Sequence, residues 1–307
     1  MNEWILEPLR EPFVVRALVE LALLGLVSGT LGCWVVFAGI SYGAESLAHS
    51  MLPGLVAAAL LGLPLVAGGA AGLLVGATLI ALVGRVPRLD ADVGVAVVIT
   101  GLFGLGVLLG LAPEVPAGLN GLLFGDLLAV GWGEIAVTAG AALVIGIALW
   151  LLHPSFLAGC FDRAGAGALG RRAGGVEGAL ALLLALAVLV AVQALGNLLV
   201  VAMLVGPAAT ARLLTPRIVP MMATAVAVAL AASVVGLYLS DHAGVAGGAA
   251  VTAALCGAFV LALAARRITS WPVISKPPSP PTFPIASSSA ASSKGWTFPH
   301  DSQTMWW

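Results

Sequence analysis

The chain carries nine apolar runs, each close to the length needed to cross a bilayer. They cover residues 17–40, 44–62, 64–83, 93–112, 131–152, 176–194, 197–214, 218–239 and 245–265. A membrane-spanning helix takes about 20 apolar residues. In hydrocarbon every backbone N–H and C=O must be satisfied within the protein, so open strands are excluded and the spans must be helices. The breaks at Gly62-Leu-Pro64 and Leu195-Gly196-Asn197 are short enough to be kinks, which gives eight to ten helices. The expected fold is therefore all-α, a polytopic transmembrane helix bundle. Composition agrees: 61% of residues are hydrophobic and 9% are charged, too few charges to solvate a water-facing surface. A net charge of −1 argues against nucleic acid as a partner and leaves membrane lipid as the surrounding medium.

Residues 1–16 hold Glu3, Glu7, Arg10, Glu11 and Arg16 and lack the short apolar core of a cleaved leader. The first span is expected to direct its own insertion. Arginines cluster at Arg85/Arg88, Arg163/Arg171/Arg172, Arg212/Arg217 and Arg266/Arg267. An even number of crossings separates each cluster from the next, so all four can face the cytoplasm, with the N-terminus outside. Arg10 and Arg16 oppose that placement, and Glu3, Glu7, Glu11 and Glu20 dilute them. The sequence divides into a transmembrane domain, 1–267, and a Pro/Ser-rich tail, 268–307, which lacks the apolar content to fold alone.

Against this background one pair of residues stands out. Glu45 and His49 lie four apart, which stacks them on one helix face. Carboxylate and imidazole are both ligands for divalent transition metals. Ionisable groups within spans are costly and mark pathways or partners. The competing reading is an ion pair at a helix end, where charges snorkel to water. Asp241 and His242, after the eighth run, form a second acid–imidazole neighbour pair. Asp92 is read as a helix N-cap, Asp126 as capping or hydrating a short half-helix at 122–128, and Asn197 as satisfying backbone at a break. Cys33, Cys160 and Cys256 are far apart and read as core thiols. His153 and His300 stand alone.

Nothing in the chain resembles a catalytic constellation. It has no GxxxxGK[ST] phosphate loop, HExxH or GxSxG. The glycines of Gly101-Leu-Phe-Gly104-Leu-Gly106 fall inside a span, where helix packing explains them. The longest internal connector, Pro154 to Gly175, contains Phe161-Asp162-Arg163 and Leu169-Gly170, a segment suited to a short helix outside the membrane.

Several stretches resemble the permease subunits of bacterial ATP-binding-cassette importers for zinc and manganese. They are Leu31-Gly-Cys-Trp-Val-Val-Phe37, Ser41-Tyr-Gly-Ala-Glu45-Ser-Leu-Ala-His49-Ser-Met-Leu-Pro-Gly54, Leu122-Leu-Phe-Gly-Asp-Leu-Leu-Ala-Val130, Phe161-Asp162 with Ala168-Leu-Gly170, and Leu195 through Leu214. They occur in that family's order over residues 14–267. The resemblance implies a permease that is not itself an enzyme, works as a homodimer, docks a cytoplasmic ATP-binding subunit that hydrolyses ATP, and receives its ion from an extracytoplasmic metal-binding protein. It implies no permanently bound cofactor and a transported divalent ion, zinc or manganese, with iron as a further case. It assigns the metal contact to Glu45 and His49, where relatives often carry Asp in place of Glu45. It leaves Asp241 and His242 as a second candidate contact. It assigns coupling to the ATPase to Phe161, Asp162, Arg163, Leu169 and Gly170. Two rivals remain: a permease for a metal chelate such as a siderophore or corrinoid, and a secondary metal carrier without an ATPase.

Overall fold

The computed structural model describes residues 11–83, 86, 91–112, 125–161 and 173–268. The tail reading for 268–307 lies outside them apart from Ile268, as do His300, Asp162, Arg163, Leu169, Gly170 and the 113–124 connector. The backbone of Asp92 is helical, but its side chain is outside the description, so its capping role is untested.

The described elements are α1 (Pro12–Ala38), α2 (Ser41–Ser50), α3 (Leu52–Leu61), α4 (Leu65–Val83), α5 (Ala91–Gly110), a 3-10 turn (Leu127–Ala129), α6 (Trp132–Phe161), α7 (Ala173–Leu214), α8 (Ile218–Ala243) and α9 (Gly247–Ile268). Among the described residues there is no strand. Met51, between α2 and α3, has helical backbone angles, so the two form one span. Eight segments are long and apolar enough to cross a membrane, and Leu199–Leu214 is a shorter apolar helix. The all-α bundle expected from the apolar runs is what is found.

Both short breaks are real, but they differ in kind. Gly62 ends α3 in the left-handed region, its N–H bonded back to Ala58 and Ala59, and Pro64 prevents continuation. Gly196 sits inside α7 at φ 73°, ψ 166°, a conformation open essentially to glycine alone. It divides α7 into two segments. The span expected to end at 152 continues as α6 to Phe161, passing through Pro154.

Contacts along the helices fix their directions. Gly25 and Gly29 of α1 face Ala229 and Val226 of α8, so these helices run antiparallel. Gly32 faces Leu204 and Ala208, and Arg212 stacks over Phe37 at 4.3 Å, so the second segment of α7 runs parallel to α1. Trp34 meets His153 and Phe156, each with ring centroids 5.3 Å away, and Glu20 meets Thr138, which together set α6 parallel to α1 as well. Glu20, Val66, Thr138 and Gln193 share one cavity, which puts the starts of α1, α4 and α6 at the same end as the Gly196 bend. The first segment of α7 therefore approaches that end and the second departs from it. Arg212 and Arg217 lie at the opposite end, and α9, which starts with Gly247 against Leu127 and Ser240, runs toward them to Arg266.

Packing depends on missing side chains. A Cβ on Gly54 would strike the carbonyl oxygen of Gly68, and a Cβ on Gly68 would strike that of Gly54. The backbones of α3 and α4 touch at this point, as small residues allow in lipid. Gly54→Val is expected to lower folded yield and to destabilise the bundle by at least about 1–3 kcal/mol, because the obstructing atoms are backbone. Gly101, where a Cβ would meet nothing within 4 Å, is the control, and Gly101→Ala should leave the unfolding midpoint unchanged or raised. Equal midpoints for the two variants would refute the close-contact account.

Candidate metal-transit site

Glu45 and His49 both project from α2, which packs against α7, α5 and α4. Two serine hydroxyls on this helix are already committed. Ser46 donates to Tyr42 O at 2.6 Å, and Ser50 donates to Leu47 O at 2.8 Å. Ser50 also fills the space left by Gly76 of α4, which holds α2 at close range. Glu45 and His49 are the carboxylate and the imidazole that this helix offers a ligand.

His49 Nε2 lies 3.9 Å from Glu45 Oε1. That is too long for a hydrogen bond. It is short enough for one ion to touch both, since metal–nitrogen and metal–oxygen bonds run to about 2.0–2.2 Å each. The two side chains differ in environment: that of His49 is 17% exposed and that of Glu45 46%. The imidazole is held edge-on against Phe103 of α5, ring centroids 5.2 Å apart. Its Nδ1 is buried with no hydrogen-bond partner. His49 lies eight residues into a 21-residue span, about 12 Å from its start at 1.5 Å per residue. This is deeper than the helix-end ion pair that spacing alone allowed. Among the described residues no group of three or more His, Cys, Asp or Glu is placed to hold a metal.

Asp241 and His242 belong elsewhere in the molecule. They end α8, beside the start of α1, where Asp241 lines a cavity of about 380 Å³ with Phe13, Leu128, Tyr238 and Val245. α1 is 27 residues long, about 40 Å, and α2 begins at its far end, so the fold does not bring the two pairs together. His242 Nδ1 is 3.9 Å from Asp241 Oδ2 and 2.9 Å from Tyr238 O, and both side chains are about half exposed. Of the coupling residues, Phe161 is the last residue of α6, and its side chain and the four others fall outside the description.

The other polar readings divide. Asp126 does cap: its Oδ1 accepts from Ala129 N at 3.2 Å at the start of the 3-10 turn. Asn197 does not satisfy backbone at the break. It is fully buried, and neither atom of its amide has a partner. Cys33 is buried and donates to Gly29 O at 3.1 Å, as a core thiol should. Cys256 is exposed, and the side chain of Cys160 is not described. His153 packs edge-on against Trp34. Sequence reasoning missed Glu20, which it counted among the acids of the N-terminal flank. Glu20 is 1% exposed and accepts from Thr138 Oγ1 at 2.6 Å. Its position inside the 17–40 run was the available signal, since an acid there needs a partner or a role.

Relatives share this architecture over most of its length. The manganese transport system membrane protein MntB of Synechocystis sp. is 34% identical over 263 residues, 85% of this chain and 85% of its own length. The chelated iron transport system membrane protein YfeD of Yersinia pestis is 30% identical, covering 86% of this chain and 89% of its own. Among solved structures, a chain of PsaBC from Streptococcus pneumoniae in complex with Fab superposes with a TM-score of 0.78 at 27% identity, covering 86% of this chain and 95% of that one. The family profile described as the ABC 3 transport family matches residues 10–266, and with that match and these relatives the chain belongs to that family, as a multi-pass permease of the cell membrane.

Proposed function

We propose that this chain is the permease subunit of an ATP-driven importer of a divalent transition metal, and that Glu45 and His49 are the protein ligands the ion meets in transit. The observation that carries this reading is the buried, unpartnered imidazole of His49, 3.9 Å from a carboxylate oxygen, midway through an apolar span. The family match supports it. Carboxylate and imidazole are ligands for manganese, iron and zinc alike. The relatives' names, manganese for MntB and chelated iron for YfeD, favour manganese or iron over zinc. Two small ligands fit a bare ion better than a bulky chelate.

A second copy of the chain supplies the rest of the site in this reading. One chain offers two ligands, and a homodimer with the pairs facing a shared axis offers four. The arginine-bearing end is cytoplasmic by the positive-inside rule. The Phe161–Gly170 segment follows α6 at that end and meets a separate ATP-hydrolysing subunit. Asp241 and His242 lie at the outer end, where an extracytoplasmic metal-binding protein docks.

Glu45→Ala and His49→Ala should each cut manganese uptake at least about tenfold, as the loss of a metal contact does, while membrane insertion is unchanged. Uptake at the native level in both variants, matched for expression, would remove the pair from the transport route. Phe161→Ala should weaken retention of the ATP-hydrolysing subunit through purification, and undiminished co-purification would count against docking there. Truncation after Arg267 should leave uptake intact, because it keeps Arg266 and Arg267 at the end of α9 and removes only the Pro/Ser-rich tail. Background uptake by a well-expressed 1–267 chain would show that the tail carries function.

A further inference from the structure

A cavity of about 120 Å³ lies beside the Gly196 bend, between α1, α4, α6 and the first segment of α7. Its polar wall is Glu20, Glu134, Thr138 and Gln193, and the remainder is aliphatic, including Val66 and Val130. Glu20 is the anomaly. It is 1% exposed, one carboxylate oxygen accepts from Thr138 Oγ1 at 2.6 Å, and the other, Oε2, is buried with no partner. A buried carboxylate oxygen left unmet is costly, and natural proteins rarely keep one without a role. Glu134 faces the same cavity from its exposed mouth, with its Oε2 accepting from the Gly131 N–H at 3.0 Å. Two carboxylates around one small cavity repel each other. Arg16, one turn before Glu20 on α1, does not line the cavity, and no Lys, Arg or His does so among the described residues.

We propose that Glu20, Glu134, Thr138 and Gln193 form a second cation site, separate from Glu45 and His49, that takes a hard divalent ion such as calcium, magnesium or manganese. The donor chemistry selects this class. Every polar group facing the cavity offers oxygen, and there is no imidazole or thiolate to favour zinc or copper. Thr138 gives its proton to Glu20, which leaves its own lone pairs for an ion. One divalent cation cancels both carboxylate charges and meets Oε2. Water completes the coordination through the mouth at Glu134. The site also has a mechanical consequence. Gln193 precedes Gly196 by less than one helical turn, and Gly125 packs directly on Ala194 and Gly196. An ion here ties α1 and α6 to α7 beside its bend, and α7 is a helix that packs against α2.

The test uses the full-length chain, purified in lipid nanodiscs and stripped of metal with chelator. Its unfolding midpoint is followed as calcium, magnesium or manganese chloride is added, in wild type, His49→Ala, Glu20→Gln and Glu134→Gln. The expected result is a saturable rise of several degrees in wild type and in His49→Ala, lost in Glu20→Gln. In Glu134→Gln the half-saturating concentration should increase about tenfold. If Glu20→Gln yields no folded protein, Glu134→Gln at the exposed mouth carries the test. An equal rise in both glutamine variants would overturn the site. So would a rise lost in His49→Ala and kept in Glu20→Gln, which would assign the effect to the transit pair. A wild type indifferent to all three cations, with Glu20→Gln raising the midpoint unaided, would mean that Glu20 holds a proton instead, and the proposal would fail.

Discussion

Close backbone contact is the interaction on which the rest of this molecule depends. In lipid, helices gain little by covering one another's apolar surface, because the acyl chains they displace are equally apolar. What remains is dispersion at short range, and that requires residues without side chains at the crossings. Gly54 and Gly68 bring α3 and α4 into backbone contact, and Gly72 and Gly76 receive Met51 and Ser50. Gly29 and Gly32 do the same for α1 against α8 and α7. The position of His49 follows from this. α2 is continuous with α3, α3 is pinned to α4, and Phe103 of α5 closes over the imidazole.

Once the helices are this close, polar side chains have few places to go. Most hydroxyls solve the problem locally by donating to a carbonyl three or four residues back, as Thr30, Ser46, Ser50, Thr210 and Ser233 do. Nδ1 of His49, Oε2 of Glu20, the amide of Asn197, Nε of Arg16 and Nε1 of Trp34 have no such local solution and stay unpartnered. The contrast sorts the polar residues of the bundle by chemistry. Those whose needs their own backbone can meet are structural. Two of those left open, the His49 imidazole and the Glu20 carboxylate, are of types that bind cations, and Asn197 lies next to Gly196, whose backbone angles are open essentially to glycine alone.

The same contrast explains what the sequence could reveal. The helices were legible because the apolar runs match the bilayer, and backbone satisfaction in lipid permits no alternative to a helix there. Both breaks were legible because Gly62-Leu-Pro64 and Gly196 carry residues that punctuate helices. That one would be a turn between helices and the other a bend inside one was not, since this depends on backbone angles that glycine permits but does not dictate. The continuation of α6 through Pro154 was hidden by the usual weight of proline as a breaker. Glu45 and His49 were visible because four residues of separation guarantee a shared face. The place of Glu20 inside an apolar run was legible, but its partner, Thr138, is 118 residues away, and local spacing says nothing about such a pair. The separation of Asp241 and His242 from Glu45 and His49 likewise came only from the alternation of helix direction.

In the proposed transit role, the incompleteness of the Glu45–His49 pair is a physical requirement. A tetrahedral set of four ligands from one chain holds a metal as a structural site does, with a binding energy of order 10 kcal/mol that no passing ion could escape quickly. Conduction needs binding strong enough to draw the ion from water and weak enough to release it. Two ligands on one helix face, not hydrogen-bonded to each other and 3.9 Å apart, meet that condition. The phenyl ring of Phe103 fixes the imidazole plane without using either nitrogen, so the ligand is oriented while its donors stay free. A third or fourth ligand then has to come from water or from a second copy, and either can be withdrawn when the helices move. Nε2 faces Glu45 while Nδ1 on the far side of the ring is buried without a partner, and α2 is held in this place by its packing against α4, α5 and α7.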